Sequence, residues 1–209
     1  GVRVRAMAVR VSSEGEKIGE IALTDIGPMQ SIAIAGGADG ALIVWDLSPT
    51  FNGVLLSSTD TITPIALASQ RRPSLAWNGS EFLVAGVLDG TLHWQMVNAS
   101  GVVRTPLSRF PVITALYPAI DVEPWEGGFL LTWSAAAELF TSFVSADGVL
   151  EDGPAFVGAM AADYSRNFGV AGNAIVYPRT TGDPVRDITR VFVRTIEREE
   201  DKPRRRAVR

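Results

Sequence analysis

The 209 residues carry a formal net charge of −4, with 46% apolar residues, 20% charged residues and no cysteine. Disulfides, zinc–thiolate centres and thiol nucleophiles are therefore excluded, and the mild acidity argues against a nucleic-acid partner. No apolar run approaches the ~20 residues of a membrane-spanning helix.

The chain opens on "AVRVSSEG" (Ala8–Gly15), an alternating strand that runs into a turn, and then the weaker strand "KIGEIALTD" (Lys17–Asp25). A different pair follows. "QSIAIAGGADG" (Gln30–Gly40) leads through Asp-Gly into "ALIVW" (Ala41–Trp45), and the opening pair then recurs as "GVLLSSTD" (Gly53–Asp60) and "ITPIALAS" (Ile62–Ser69). The four-part unit repeats as "PSLAWNGSE", "EFLVAG", "WQMVNASG" and "VVRTPLS" between Pro73 and Ser108. It repeats again as "PAIDVEPWEGG", "GFLLTW", "TSFVSADG" and "VLEDGPAFV" between Pro118 and Val157. A last copy keeps three parts, "RNFGVAGN", "NAIVY" and "TRVFVRTIE". Period-two alternation, β-branched runs and Asn-Gly or Asp-Gly turns are the marks of antiparallel strands.

First strands align on Ser31, Ser74, Ala119 and Asn167, and second strands end on Trp45, Gly86, Trp133 and Tyr177. Third strands align on Val11, Leu56, Val97 and Val144. Four short antiparallel strands about every 45 residues describe the blade of a β-propeller. The expected fold is thus all-β, with about four to four and a half blades. A partial blade spans 1–27, full blades span about 28–70, 71–115 and 116–163, and a last blade spans 164–197. The charge-dense tail 198–209, with Arg204, Arg205 and Arg206, is expected to be solvated.

Trp45-Asp46 imitates a WD40 signature, but it closes a second strand rather than a third and no Gly-His pair precedes it. The repeat instead resembles degenerate β-propeller repeats of bacterial exported and cell-surface proteins. That pattern runs Pro-x-apolar-Ala, Gly, Phe-Leu-Val-x-Trp, then Asp-Ile and Arg-Val-Ser-x-x-Gly. "RPSLAWNGSEFLVAG" (Arg72–Gly86) carries its first half, "VRVSSEG" (Val9–Gly15) its second, and "RDITRVFVRT" (Arg186–Thr195) keeps Asp-Ile. The resemblance implies an extracellular or cell-envelope location in a bacterium; it departs where Gly86 replaces the Trp.

The strand tally exceeds a closed four-blade ring by one. The preferred expectation is the C-terminal part of a larger propeller, with the remaining blades upstream or on another chain. The alternative is a ring whose last blade is completed by "EIALTD". Gly1 in place of an initiator Met and leader leaves a processed fragment open.

Reactive constellations are scarce. His93 is the one histidine, expected in a structural or surface role. Asp121 is the one acid inside a first strand, where its counterparts are taken as Ala33, Ala76 and Gly169, and it is the weak candidate for a catalytic carboxylate in an axial channel. A glycoside hydrolase would need a second acid facing the same bond. Glu81, Glu123 and Glu126 are expected in solvent near turns. Trp45, Trp133 and Tyr177 are expected to fill space between blades, and Trp77 and Trp125 are the candidate ligand-contacting aromatics. The Asp box of sialidases and calcium-loop spacings are missing, so no metal or cofactor is expected. The leading functional expectation is a non-catalytic module binding a protein or glycan, with self-association possible. A propeller hydrolase using Asp121 is the alternative.

Overall fold

The computed structural model describes residues 6–23, 31–47, 50–68, 70–104, 107–113, 119–160, 168–172, 174–183 and 186–196. Asn167 and the charged tail lie outside the described residues.

Among the described residues every element is a β-strand, and the strands form five antiparallel sheets in chain order. The first sheet pairs only β1 (Met7–Val11) with β2 (Lys17–Ala22). Three four-stranded sheets follow. They contain β3 (Ser31–Gly36) to β6 (Ile62–Ile65), with β4 (Gly40–Leu47) and β5 (Thr50–Ser57); β7 (Arg71–Trp77) to β10 (Ser108–Ile113), with β8 (Glu81–Leu88) and β9 (Thr91–Asn98); and β11 (Ile120–Trp125) to β14 (Ala155–Ala159), with β12 (Gly128–Ala135) and β13 (Glu138–Val144). The last sheet contains β15 (Gly169–Ala171), β16 (Ala174–Asp183) and β17 (Arg186–Thr195).

Within each complete sheet the strands meander in order, so the first strand forms one edge and the fourth the other. First strands of successive sheets lie against one another, β3 on β7, β7 on β11 and β11 on β15. Sheets that meet along their first edges and continue outward are radial blades, and the fold is a β-propeller.

Turn chemistry sets the hairpins. Asp89 and Gly90 join β8 to β9 with φ of 51° and 74°, the two positive values that a type I′ turn requires. The fourth strand of the β7–β10 sheet is displaced from the sequence expectation. Val103 makes only an isolated bridge to Val97, and the strand itself starts at Ser108.

The core is a series of seams between blades, and the pleat assigns each residue to one of them. Leu42 and Val44 on β4 face forward and pack against Leu75, Phe82 and Val84 of the next blade. Leu83 and Ala85 on β8 repeat this against Val122, Leu131 and Trp133. The intervening residues Ile43 and Trp45 face backward, onto Ala6 and Leu23 beside β1 and β2. Because second strands are covered on both faces, β8 and β12 are buried almost throughout and the usual polar alternation disappears. Trp45, Trp133 and Tyr177 are all buried in these seams. Gly86 holds the equivalent place in β8, where Gln70 occupies the room: a Cβ would stand 2.5 Å from its Oε1 and 2.8 Å from its Cβ.

Candidate binding surfaces

Asp121 sits on β11 opposite Thr132 of β12. Aligning the sheets by the cross-strand partners of their second strands puts Asp121 in register with Ala33, Ser74 and Gly169, which pair with Val44, Ala85 and Val176. The sequence-based choice of Ala76 is thus corrected to Ser74. Sequence similarity sets Ser74 against Ser31, but Ser31 pairs with Asp46, two residues before the position that Ala33 and Ser74 share, and spacing along the chain does not record cross-strand pairing.

Neighbouring blades use this position in the same way. Val122 N–H donates to Ser74 Oγ across the seam at 3.1 Å, and Val170 N–H one blade later donates to the Asp121 carboxylate. A first strand exposes unpaired N–H groups on its free edge, and a buried donor needs an acceptor. The polar side chain of the preceding blade supplies it. Asp121 Oδ1 also accepts from its own Val122 N–H at 3.0 Å.

Burial pushes the Asp121 carboxyl above the ordinary carboxylate value, against the lowering influence of the Val170 and Val122 N–H groups. Glu123, two residues on and on the same face of β11, is pushed up by burial and then by the Asp121 charge. The expectation that Glu81 and Glu123 lie in solvent is corrected. Glu123 is half-buried within β11, and Glu81 is buried, with Oε1 accepting from Arg104 Nη1 at 2.6 Å. Glu126 is exposed in its turn, as expected.

Trp77 and Trp125 end β7 and β11 and are half-buried. Trp77 packs on Phe82 at 4.5 Å and Trp125 lies 6.3 Å from Phe143. The turns that follow them are joined by Asn78 Nδ2 donating to Gly127 O at 2.7 Å, so both aromatics belong to one end of adjacent blades. Sequence reasoning named each without relating them, because the Asn78 contact crosses 49 residues.

His93 is buried on β9, opposite Arg109 of β10. Burial, and next the Arg109 charge, hold its pKa below the ordinary value. Among the described residues no group of three His, Asp or Glu side chains is placed to hold a metal ion, and no helix is long and apolar enough to cross a membrane.

Two features went unread in the sequence. Asp46 of the Trp-Asp pair is buried and accepts from Ser31 N–H at 2.8 Å and from Arg72 N–H of the next blade at 3.2 Å. Ser134, in register with it, accepts from Ala119 N–H at 2.9 Å. The second feature is an apolar groove of about 590 Å³ between β1 and the β3–β4 hairpin. Its walls include Met7, Val9, Ile32, Ile34 and Ile43, with Arg10 at the rim, where Arg10 pairs with Asp60 at 2.6 Å.

No protein-family model and no curated protein matches the sequence. Among solved structures, a protein from Lactobacillus plantarum aligns with 86% of this chain and 59% of its own, at 13% identity and a TM-score of 0.52. A neuraminidase-like protein of A/little yellow-shouldered bat/Guatemala/060/2010 aligns with 73% of this chain and 51% of its own, at 9% identity and a TM-score of 0.49. TolB from Acinetobacter baumannii aligns with 87% and 55%, at 16% identity and a TM-score of 0.41. The first likeness concerns the fold alone, and the other two are too loose to carry an argument. The chain spans between 51% and 59% of the length of these three structures.

Proposed function

We propose that this chain is a non-catalytic β-propeller module of the bacterial cell envelope or exterior, which binds a protein or glycan through the face bearing Trp77 and Trp125. The observation that carries this reading is the use made of Asp121. Its carboxylate accepts backbone N–H groups from two adjacent blades, while its register equivalents are Ala33, Ser74 and Gly169. A hydrolase needs one acid as proton donor and another facing it across the scissile bond. The opposing blades offer methyl, hydroxyl and hydrogen at this position. The envelope location rests on the resemblance of the repeats to exported propellers.

The Asp121–Glu123 pair favours a second reading, a glycoside hydrolase, because both carboxyls are biased toward the protonated form that a general acid needs. One experiment separates the two. The protein is incubated with a panel of bacterial and host glycans while binding and bond cleavage are followed together. Saturable binding without cleavage, weakened by Trp77→Ala and Trp125→Ala, supports the binding module. Cleavage that disappears in Asp121→Asn or Glu123→Gln supports the hydrolase. A third reading, a fragment completing a larger propeller, would be shown by a native mass well above that of the 209 residues.

A further inference from the structure

The groove between β1 and β3–β4 can be judged against the closed seams of the same molecule. Ile34 pairs with Ile43, Leu75 with Val84 and Val122 with Leu131, so the three first-strand residues occupy one position of the repeat. Leu75 is 7% exposed and Val122 is 3% exposed, each covered by the preceding blade, whereas Ile34 is 65% exposed. Ile32 beside it is 51% exposed. The backbone shows the same deficit. β5, β9 and β13 each pair on both edges, while β1, which is the third strand of its blade, pairs among the described residues with β2 alone.

What covers Leu75 and Val122 is a second strand of defined character: Leu42 and Val44 over one, Leu83 and Ala85 over the other. Among the described residues the β1–β2 sheet has no first or second strand, and the seam it has made with Ile43, Trp45, Val54 and Leu56 runs directly into the groove. An occupant must extend that seam inward and pair with the free edge of β1. The four first-and-second-strand hairpins among these residues, from β3–β4 to β15–β16, are already paired within their own sheets. A second copy of the last sheet does not fit either, because it would bring a third strand, β17, into the place of β1.

We propose that this groove is a docking site for an antiparallel β-hairpin carried outside these 209 residues. Its inner edge adds to β1 by main-chain pairing, and its alternate apolar side chains, a leucine and a small residue, cover Ile32 and Ile34. Main-chain pairing supplies affinity in such strand addition, and the side-chain pockets supply specificity. The proposal rests on the propeller-module reading and names one partner class for it.

The test titrates the full chain with two synthetic hairpins that have the required pattern, Ser31–Leu47 (Leu42 and Val44) and Arg71–Leu88 (Leu83 and Ala85) of this sequence. Stoichiometry is read by calorimetry, and protection of the β1 amides by hydrogen exchange. The expected result is saturable 1:1 binding of at least one hairpin, with new protection confined to β1 and its neighbours. Ile34→Glu, at an exposed position that does not threaten folding, weakens binding at least tenfold, and so does N-methylation of the edge of the hairpin that meets β1. Failure of both hairpins to bind, binding indifferent to Ile34→Glu, or β1 amides already protected by self-association of the free chain would each overturn the proposal. Glycan binding at Trp77 and Trp125 is measured separately, so loss of one reading leaves the other standing.

Discussion

Leu75 and Ile34 have the same strand position, the same backbone pairing and nearly the same side chain, yet one is sealed in a seam and the other faces solvent. The opposite end of the chain repeats the contrast. Val44, Ala85 and Val176 share a second-strand position; the first two are buried, and Val176, on the last sheet, is 40% exposed. Burial in a propeller is therefore a property of the neighbouring blade as much as of the residue. Since apolar burial stabilises by roughly 25 cal/mol per Å² removed from water, equal sequence patterns contribute unequally along the chain.

The sharpest test truncates both members of the pair. Leu75→Ala should destabilise the protein by about 2–5 kcal/mol through lost burial and a cavity, whereas Ile34→Ala should stay within about 0.5 kcal/mol, as exposed substitutions usually do. Chemical denaturation of the two variants measures the difference, and equal losses would mean that Ile34 is covered in solution.

A smaller effect tests the hydrogen-bond ties across the seams. Asp121→Ala leaves the Val170 N–H without its acceptor and should cost about 1 kcal/mol. Asp121→Asn keeps an acceptor and removes a charge that burial disfavours, so at neutral pH it should be neutral or slightly stabilising. Ala33 occupies the same position without an acceptor, and Ala33→Ser should stabilise by up to about 1 kcal/mol by reaching the Leu75 N–H. If Asp121→Ala and Asp121→Asn are equally damaging, the carboxylate has a role other than the tie.

The smallest expected effect is a pH dependence. The folded protein holds the His93 pKa below its unfolded value of about 6.5, so the folded state binds fewer protons than the unfolded chain. Stability should accordingly fall as the pH drops through that value toward the lowered folded one. The buried carboxyls shift the other way. With raised folded pKa values, Asp121 and Glu123 lose stability as the pH rises from their unfolded to their folded pKa. Melting temperatures of wild type, His93→Gln and Asp121→Asn from pH 4 to 7.5 separate the two. A wild-type profile retained in His93→Gln would remove His93 as the cause of the acid limb.

Much of this was legible in the sequence because strands and tight turns are local. Period two, Asp89-Gly90 and Glu126-Gly127 mark hairpins within a few residues, and repetition turns hairpins into four-stranded sheets. The large residues recurring at Trp45, Trp133 and Tyr177 were readable as seam filler for the same reason. The slip at Ser74, the burial of Glu81 and the bond from Asn78 to Gly127 that ties the turns after Trp77 and Trp125 were not, because each depends on cross-strand register or on contacts between residues distant in the chain.

The sequence by itself determined the repeating unit, its strands and the turns between them, since backbone conformation answers mainly to adjacent residues. Tertiary structure alone decided which faces are covered. It assigned Asp121 and Ser74 to the backbone of the following blade, put Gln70 in the space where the repeat carries a Trp, and left Ile32 and Ile34 open. Each of those outcomes is set by residues far away in the chain that reach the same seam, and no local pattern records whether a neighbour is there.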